Sequence, residues 1–127
     1  MEDNEIQIIR SPISINLIKD LAKKQFGNLI KATVDIDKEI LALGGELHAD
    51  EEQVLLDSNS KQVNLWGVNL YPDKFGTDEF IEYDSMINIR PSQGNISRNV
   101  EDPIIRSKIS LLINNLIIVN IKNQNAA

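Results

Sequence analysis

The stretch "LIKATVDIDKEILALGG", residues 29–45, constrains the fold more than any other part of the chain. Side chains alternate across an extended strand, so Ile30, Ala32, Val34 and Ile36 share one face and Lys31, Thr33, Asp35 and Asp37 the other. "ILALGGEL" returns as a second strand. A tight turn at Asp37-Lys38 sets Val34 opposite Leu41 and Ala32 opposite Leu43, which keeps the apolar face continuous. Asp-Lys is not a favoured turn pair, so a longer loop is the alternative. A two-stranded ribbon with one apolar face is marginal in water and needs further strands or a helix against it.

The rest of the chain supplies both. "EIQIIR" reads as a first strand. "SINLIKDLAKKQFG" reads as a helix over 14–26, with Ser14 as N-cap, an Ile13–Ile18 staple and Gly27 after the last turn. Ile18, Leu21, Ala22 and Phe26 form its apolar stripe. "ADEEQVLLDSNS" reads as a short helix capped by Asp50, or as a loop. "VNLWGVNLYP" and "EFIEYDSMINIRP" are two more strands in a hairpin. In the second, Ile81, Tyr83, Ile87 and Ile89 face one way, and Glu82, Asp84, Asn88 and Arg90 the other. A last helix starts at Asp102-Pro103 and runs to about 118, burying Ile105, Ile109, Leu112 and Leu116. Residues 116–122 fit either helix or edge strand.

Short links between neighbouring strands predict a mainly antiparallel sheet of four or five strands. The fold class is α+β, a two-layer domain with helices on one face. Its expected core is Ile18, Leu21, Val34, Leu41, Ile81, Ile87, Ile105, Ile109 and Leu112. A length of 127 residues favours one domain, 1–127, ordered over about 5–120 between loose ends, "MEDN" and "NQNAA". With no cysteine, disulfides, zinc–thiolate sites and cysteine nucleophiles are excluded. The acidic start without an apolar run reads as neither secretory signal nor transit peptide, and no stretch reaches membrane-span length; the expectation is a cytoplasmic protein with no membrane partner. A net charge of −6 argues against a broad nucleic-acid footprint, though not against a local anion site.

"GGELHADEE", "LWGVNLYP" and "FIEYDSMINIRPSQGNISRNVEDPIIR" together resemble a family of small uncharacterised bacterial proteins, a domain of unknown function, over about residues 6–118. The resemblance implies a bacterial, stand-alone domain. It brings no catalytic residue, cofactor or substrate with it.

Three constellations are candidates for chemistry. The first is the polar segment from Arg90 to Asp102. Of the four arginines, Arg10, Arg90, Arg98 and Arg106, three stand on or beside it. Arginine presents a planar fork suited to carboxylate or phosphate. Arg90, Ser92, Gln93, Asn95 and Arg98 are the candidate ligand-binding set, feeding a helix N-terminus where an anion is favoured. The structural alternative pairs the arginines with Glu82, Asp84, Glu101 and Asp102. The second is His48, the only histidine, with Glu46 and Asp50 on the same face if the strand runs that far. This group is a weak metal candidate, and His48 a candidate general base. Ser92 or Ser97 could complete a nucleophile with it, though spacing alone does not support this. The third is Trp66 with Tyr71, of opposite strand parity, so that one faces the core and the other a groove or dimer interface. No nucleophile elbow, phosphate loop or dinucleotide fingerprint is present, and no cofactor is called for.

The leading expectation is a binding or interaction domain that recognises an anionic small molecule or protein partner through the Arg90–Arg98 loop, with a homodimer through a sheet edge or the Trp66 strand as a further candidate. The alternative is a small hydrolase or phosphoryl-handling enzyme with His48 as base and Arg90 and Arg98 holding the anion.

Overall fold

The computed structural model describes residues 5–119. "MEDN", "NQNAA" and positions 120–122 of the helix-or-strand segment lie outside the described residues.

The alternating hairpin forms in the expected register. Strand β3 (Ile30–Asp35) pairs antiparallel with β4 (Ile40–Leu43), with Val34 opposite Leu41 and Ala32 opposite Leu43. The connection is the longer kind, Ile36–Glu39. Asp35 Oδ1 accepts from the backbone N–H of Asp37 and of Lys38, both at 2.9 Å, and Glu39 takes a positive φ of 59°.

Around this pair a five-stranded sheet has the order β1-β4-β3-β5-β6, with β1 (Gln7–Ile9), β5 (Leu65–Leu70) and β6 (Ile81–Glu82), all neighbours antiparallel. Two connections skip a strand. Helix α1 (Ile15–Lys24) links β1 to β3 across β4, and α2 (His48–Asp57) links β4 to β5 across β3. Both step the same way along the sheet but start from strands of opposite direction. Crossovers of one hand must then pass on opposite faces.

Accordingly, α1 and α3 (Pro103–Leu116) cover one face and α2 the other. Ile18, Ala22, Ile109 and Ile113 pack on Ala32, Val34, Leu41, Leu43, Trp66 and Val68. On the far side Leu55 packs on Ile40, Ala42 and Leu65. The two long helices share a face, as their stripes predict, and the short one adds a partial third layer. Because of it, the polar face of β3 is not solvated: Thr33 and Asp35 are buried.

The capping chemistry is local. Ser14 Oγ accepts from the Asn16 N–H at 3.0 Å, and Asp102 Oδ1 from that of Ile104 at 2.8 Å. The open C-terminal segment resolves into helix to Leu116, then β7 (Ile117–Ile118), parallel to β2 (Ile13–Ser14) in a small second sheet. Of the expected core, Ile18, Val34, Leu41, Ile109 and Leu112 are buried, and Leu21, Ile81 and Ile105 are half-buried against them. Phe26, placed on the α1 stripe, is exposed.

The correction concerns the strand expected over "EFIEYDSMINIRP". Only Ile81–Glu82 is strand; single turns of 3-10 helix follow at Met86–Asn88 and Pro91–Gln93. The alternation is inverted there. Asn88 and Arg90 are 0% and 7% exposed, whereas Ile89 is 38% exposed and Ile87 lies outside the core. The cause is the edge of β5, which β6 covers only at Asn69 and Leu70. At Gly67 the Asn88 side chain takes the place of a strand: Oδ1 accepts from the Gly67 N–H at 2.9 Å, and Nδ2 donates to Gly67 O at 3.0 Å. A buried backbone pair left unbonded costs more than exposing an isoleucine, so the amide goes in.

Candidate functional site

Arg90 continues the same stapling. It does not project from a polar strand face. Its guanidinium lies 4.2 Å from the centre of the Trp66 ring. Nε donates to Ile87 O at 3.1 Å, Nη1 to Gln62 O at 2.6 Å, and Nη2 to Leu65 O. Gln93 Oε1 accepts from Nη1 at 3.1 Å, while Gln93 Nε2 donates to Val63 O at 3.2 Å. Asn95 is buried and organises the loop: Nδ2 donates to Asn88 O and Asn99 O, both at 2.7 Å, and Oδ1 accepts from the Glu101 N–H at 2.9 Å. Ser92 is exposed, and Ser97 Oγ donates to Glu101 Oε2 at 2.7 Å. Arg106 turns back to Val100 O at 2.6 Å and stacks on Tyr83.

The five residues expected to hold a ligand are therefore not brought together. Arg90, Gln93 and Asn95 are engaged with the chain itself. The N-terminus of α3 is capped by Asp102 and begins with Pro103, which has no N–H to offer.

Arg98 is different. It is exposed and makes a bidentate pair with Asp84, Nε to Oδ1 at 2.7 Å and Nη2 to Oδ2 at 3.2 Å. It lines a cleft of about 290 Å³ together with His48, Lys31, Asn69 and the start of α2. Ser85, Met86 and Ile87 form the opposite wall. Behind Ser85 and His48 the sheet is tight at Gly67, where a Cβ would lie 2.6 Å from Ser85 Oγ and 3.0 Å from His48 Cδ2. Only glycine lets both residues approach the sheet so closely.

His48 opens α2, because β4 ends at Leu43 and Gly44 turns the chain with φ +99°. Glu46, His48 and Asp50 therefore do not share a strand face. His48 and Asp50 stand two positions apart on a helix, on nearly opposite sides. Among the described residues no group of three or more His, Cys, Asp or Glu side chains is placed to hold a metal ion. His48 is buried, and its Nε2 lies 2.8 Å from Val68 O. A carbonyl only accepts, so Nε2 carries the proton. Burial lowers the His48 pKa to about 4, against the raising effect of that hydrogen bond.

Behind it, Glu51 is buried on the sheet side of α2. Gly45 N–H donates to Oε2 and Thr33 Oγ1 lies against Oε1, both at 3.0 Å. Burial raises its pKa well above the usual carboxylate range, outweighing those two bonds. The same Thr33 hydroxyl lies 3.4 Å from His48 O, so Glu51, Thr33 and the first turn of α2 form one buried polar cluster.

Two features stand out at the cleft. Asn69 is 7% exposed, and its Oδ1 is buried beneath the cleft surface with no hydrogen-bond partner among the described residues. Its orientation is fixed, because Nδ2 donates to Glu82 Oε1 at 2.9 Å and Asp84 O at 3.4 Å, both pure acceptors. The second feature is the α2 N-terminus. Leu47 stands at its N-cap and has no side chain able to cap. No described group accepts from the backbone N–H of His48 or Ala49, and both residues line the cleft. Asp50, expected as the cap, lies inside the first turn instead.

Sequence reasoning missed Asn69, Lys31 and the Leu47–Ala49 turn. The signals were an asparagine in the middle of an apolar strand and an apolar residue where a helix cap belongs. The Trp66–Tyr71 pair resolves with Trp66 in the core and Tyr71 donating to Glu82 Oε1 at 3.0 Å. Trp66 is thus the core-facing member of the pair and Tyr71 the other.

Fold and cleft together define an α+β protein with a recess of mixed polarity between a helix start and a looped sheet edge. The chain matches the family model described as "Protein of unknown function (DUF5674)" over residues 7–116, and it belongs to that family. Searches of curated proteins and of solved structures found no match. Among the described residues no helix is long and apolar enough to cross a membrane.

Proposed function

We propose that the protein is a binding domain that takes a small anionic ligand in the cleft between the start of α2 and residues 84–98. The observation that carries this reading is the meeting of an uncapped helix N-terminus with Lys31 and Arg98 in one cleft. Free N–H groups and the helix dipole favour negative charge, and guanidinium and ammonium add to it. Asp84 offsets one of the two cations, so the site is moderately rather than strongly basic. The anion-receiving role assigned to the Arg90–Arg98 loop passes to its Arg98 end.

The enzyme reading is less well supported. A histidine with a pKa near 4 and its Nε2 proton committed to a carbonyl is a weak general base at neutral pH. Ser85, the serine beside it, has its Oγ accepting from the Ile87 N–H at 3.2 Å. Ser92 and Ser97 do not line the cleft. A bacterial source, a cytoplasmic setting and a second copy as partner belong to the proposal; the lack of cysteine suits a reducing compartment.

The test is titration of the labelled protein with inorganic phosphate and with acetate, at constant ionic strength, followed by amide NMR. Saturable shifts of the His48 and Ala49 amides, weakened several-fold in Arg98→Gln, are expected. Unmoved amides, or equal binding by Arg98→Gln and wild type, would overturn the reading.

A further inference from the structure

The class of anion can be narrowed from the same cleft, and the inference rests on the anion-binding reading above. We propose that Asp84 is the specificity-determining residue of the site, and that the ligand is a singly charged oxyanion with an apolar body, a small monocarboxylate being the simplest.

The charges of the cleft carry the first half. Four of its lining side chains are ionisable: Lys31, His48, Asp84 and Arg98. His48 is neutral at pH 7, because burial lowers its pKa to about 4. Asp50 and Glu51 stand in the first turns of α2 but do not line the cleft; Asp50 is exposed, and Glu51 is fully buried, where burial favours its neutral form. Two cations and one anion leave one net positive charge, to which the free N–H groups of His48 and Ala49 add a partial one. A monoanion balances that sum and a dianion overshoots it. Position matters as well. Asp84 accepts from Arg98 Nε at 2.7 Å and Nη2 at 3.2 Å, so this edge of the guanidinium is closed to a ligand. An anion that approaches Arg98 therefore also approaches the Asp84 carboxylate. The repulsion scales with the ligand's charge, so a dianion meets it twice over. The two side chains are 55% and 39% exposed, and solvent screens the effect to a few-fold.

The walls carry the second half. Leu47 at the helix start and Met86 on the opposite wall are 59% and 65% exposed, and Ile87 beside Met86 is half-buried. Large apolar side chains left in water on both sides of a charged recess suit a ligand with an apolar body, and methionine adapts to its shape. A volume of about 290 Å³ is at the small end for ligand cavities and fits a body of a few carbons.

The full chain is titrated at constant ionic strength with two pairs of probes. Methanesulfonate and sulfate share a tetrahedral shape and differ in charge; acetate and isovalerate share a charge and differ in apolar body. Affinity is read from the His48 and Ala49 amide shifts. Methanesulfonate is expected to bind tighter than sulfate. In Asp84→Asn the ratio of the two affinities should move about fivefold toward sulfate, the effect in water of one unit charge about 4 Å away. Asp84→Glu, which keeps the charge, should hold the wild-type ratio. Isovalerate should bind at least about fourfold tighter than acetate, the value of one buried methylene, and Met86→Gln, at an exposed position, should remove most of that margin. A ratio unchanged in Asp84→Asn, or isovalerate no tighter than acetate, overturns the inference. If all four probes move the amides with equal affinity, the inference falls and the anion reading stands. If none of them does, both fall.

Discussion

In β3 the apolar side chains Ile30, Ala32 and Val34 are fully buried against α1 and α3, while in residues 86–90 it is Asn88 and Arg90 that are buried and Ile89 that faces solvent. Both stretches alternate apolar and polar residues. The difference lies in their edges. β3 has a strand on each side, so its backbone is satisfied and its side chains sort by polarity. Residues 86–90 run along the outer edge of β5, which pairs with β3 on its other side but has no strand on this edge beyond Asn69. There the unmet N–H and C=O groups of β5 decide, and polar side chains turn inward to meet them. Alternation is thus a reliable guide to facing only where the partner strand is already present.

The sharpest way to break this comparison is to give residue 88 the side chain that a regular strand would want. Asn88→Leu leaves the Gly67 N–H and C=O unbonded in the interior, and it should cost about 3–5 kcal/mol in denaturant unfolding, at the upper end for single substitutions. Stability retained to within about 1 kcal/mol would mean that the edge of β5 does not need the amide.

The buried titratable pair on α2 should shape the pH profile on both sides. His48 has its pKa lowered in the fold, so its contribution is fully present above the unfolded value of 6.5 and is lost as pH falls toward about 4. The loss should approach about 3 kcal/mol, and His48→Gln, which keeps a donor for Val68 O, should flatten that acid limb. Glu51 is the opposite case. Its pKa is raised, so stability is present below the unfolded carboxylate value and is lost as pH rises through the folded one. Glu51→Gln mimics the protonated carboxyl toward Thr33 and Gly45 and should remove the alkaline loss. Urea melts from pH 4 to 9 check both limbs; an unchanged profile in either variant would show that the residue is not the titrating group.

The smallest effect is expected at Ile89. It is exposed, so Ile89→Ser should shift stability by no more than about 0.5 kcal/mol, whereas a strand with Ile89 inward would lose several times that.

Much of the fold was legible in the sequence because its signals are local. The 30–43 hairpin register, the Ser14 and Asp102 caps and the α3 stripe all depend on residues a few positions apart. What was not legible depends on distant partners. Nothing near Asn88 in sequence says that Gly67 will lack a strand, and nothing near Arg90 says that the carbonyls of Gln62 and Leu65 will face it. The candidate site suffered the same way. His48 and Arg98 stood out and do meet in one cleft, but the arginine beside them in the sequence reading, Arg90, belongs to the sheet edge. Asn69 was hidden inside a strand motif dominated by Trp66.

The division between a structural and a functional arginine is the centre of this account, and parallel measurement of Arg90→Ala and Arg98→Ala tests it most directly. Each variant is melted and titrated with inorganic phosphate. Arg90→Ala should melt far earlier, having lost the fork that holds Gln62, Leu65 and the Trp66 face, yet bind at the cleft when folded at low temperature. Arg98→Ala should melt near the wild type, since an exposed ion pair contributes at most about 1 kcal/mol, and should lose binding. A loss of binding in Arg90→Ala without loss of stability, or an Arg98→Ala that melts early and binds as before, would contradict it.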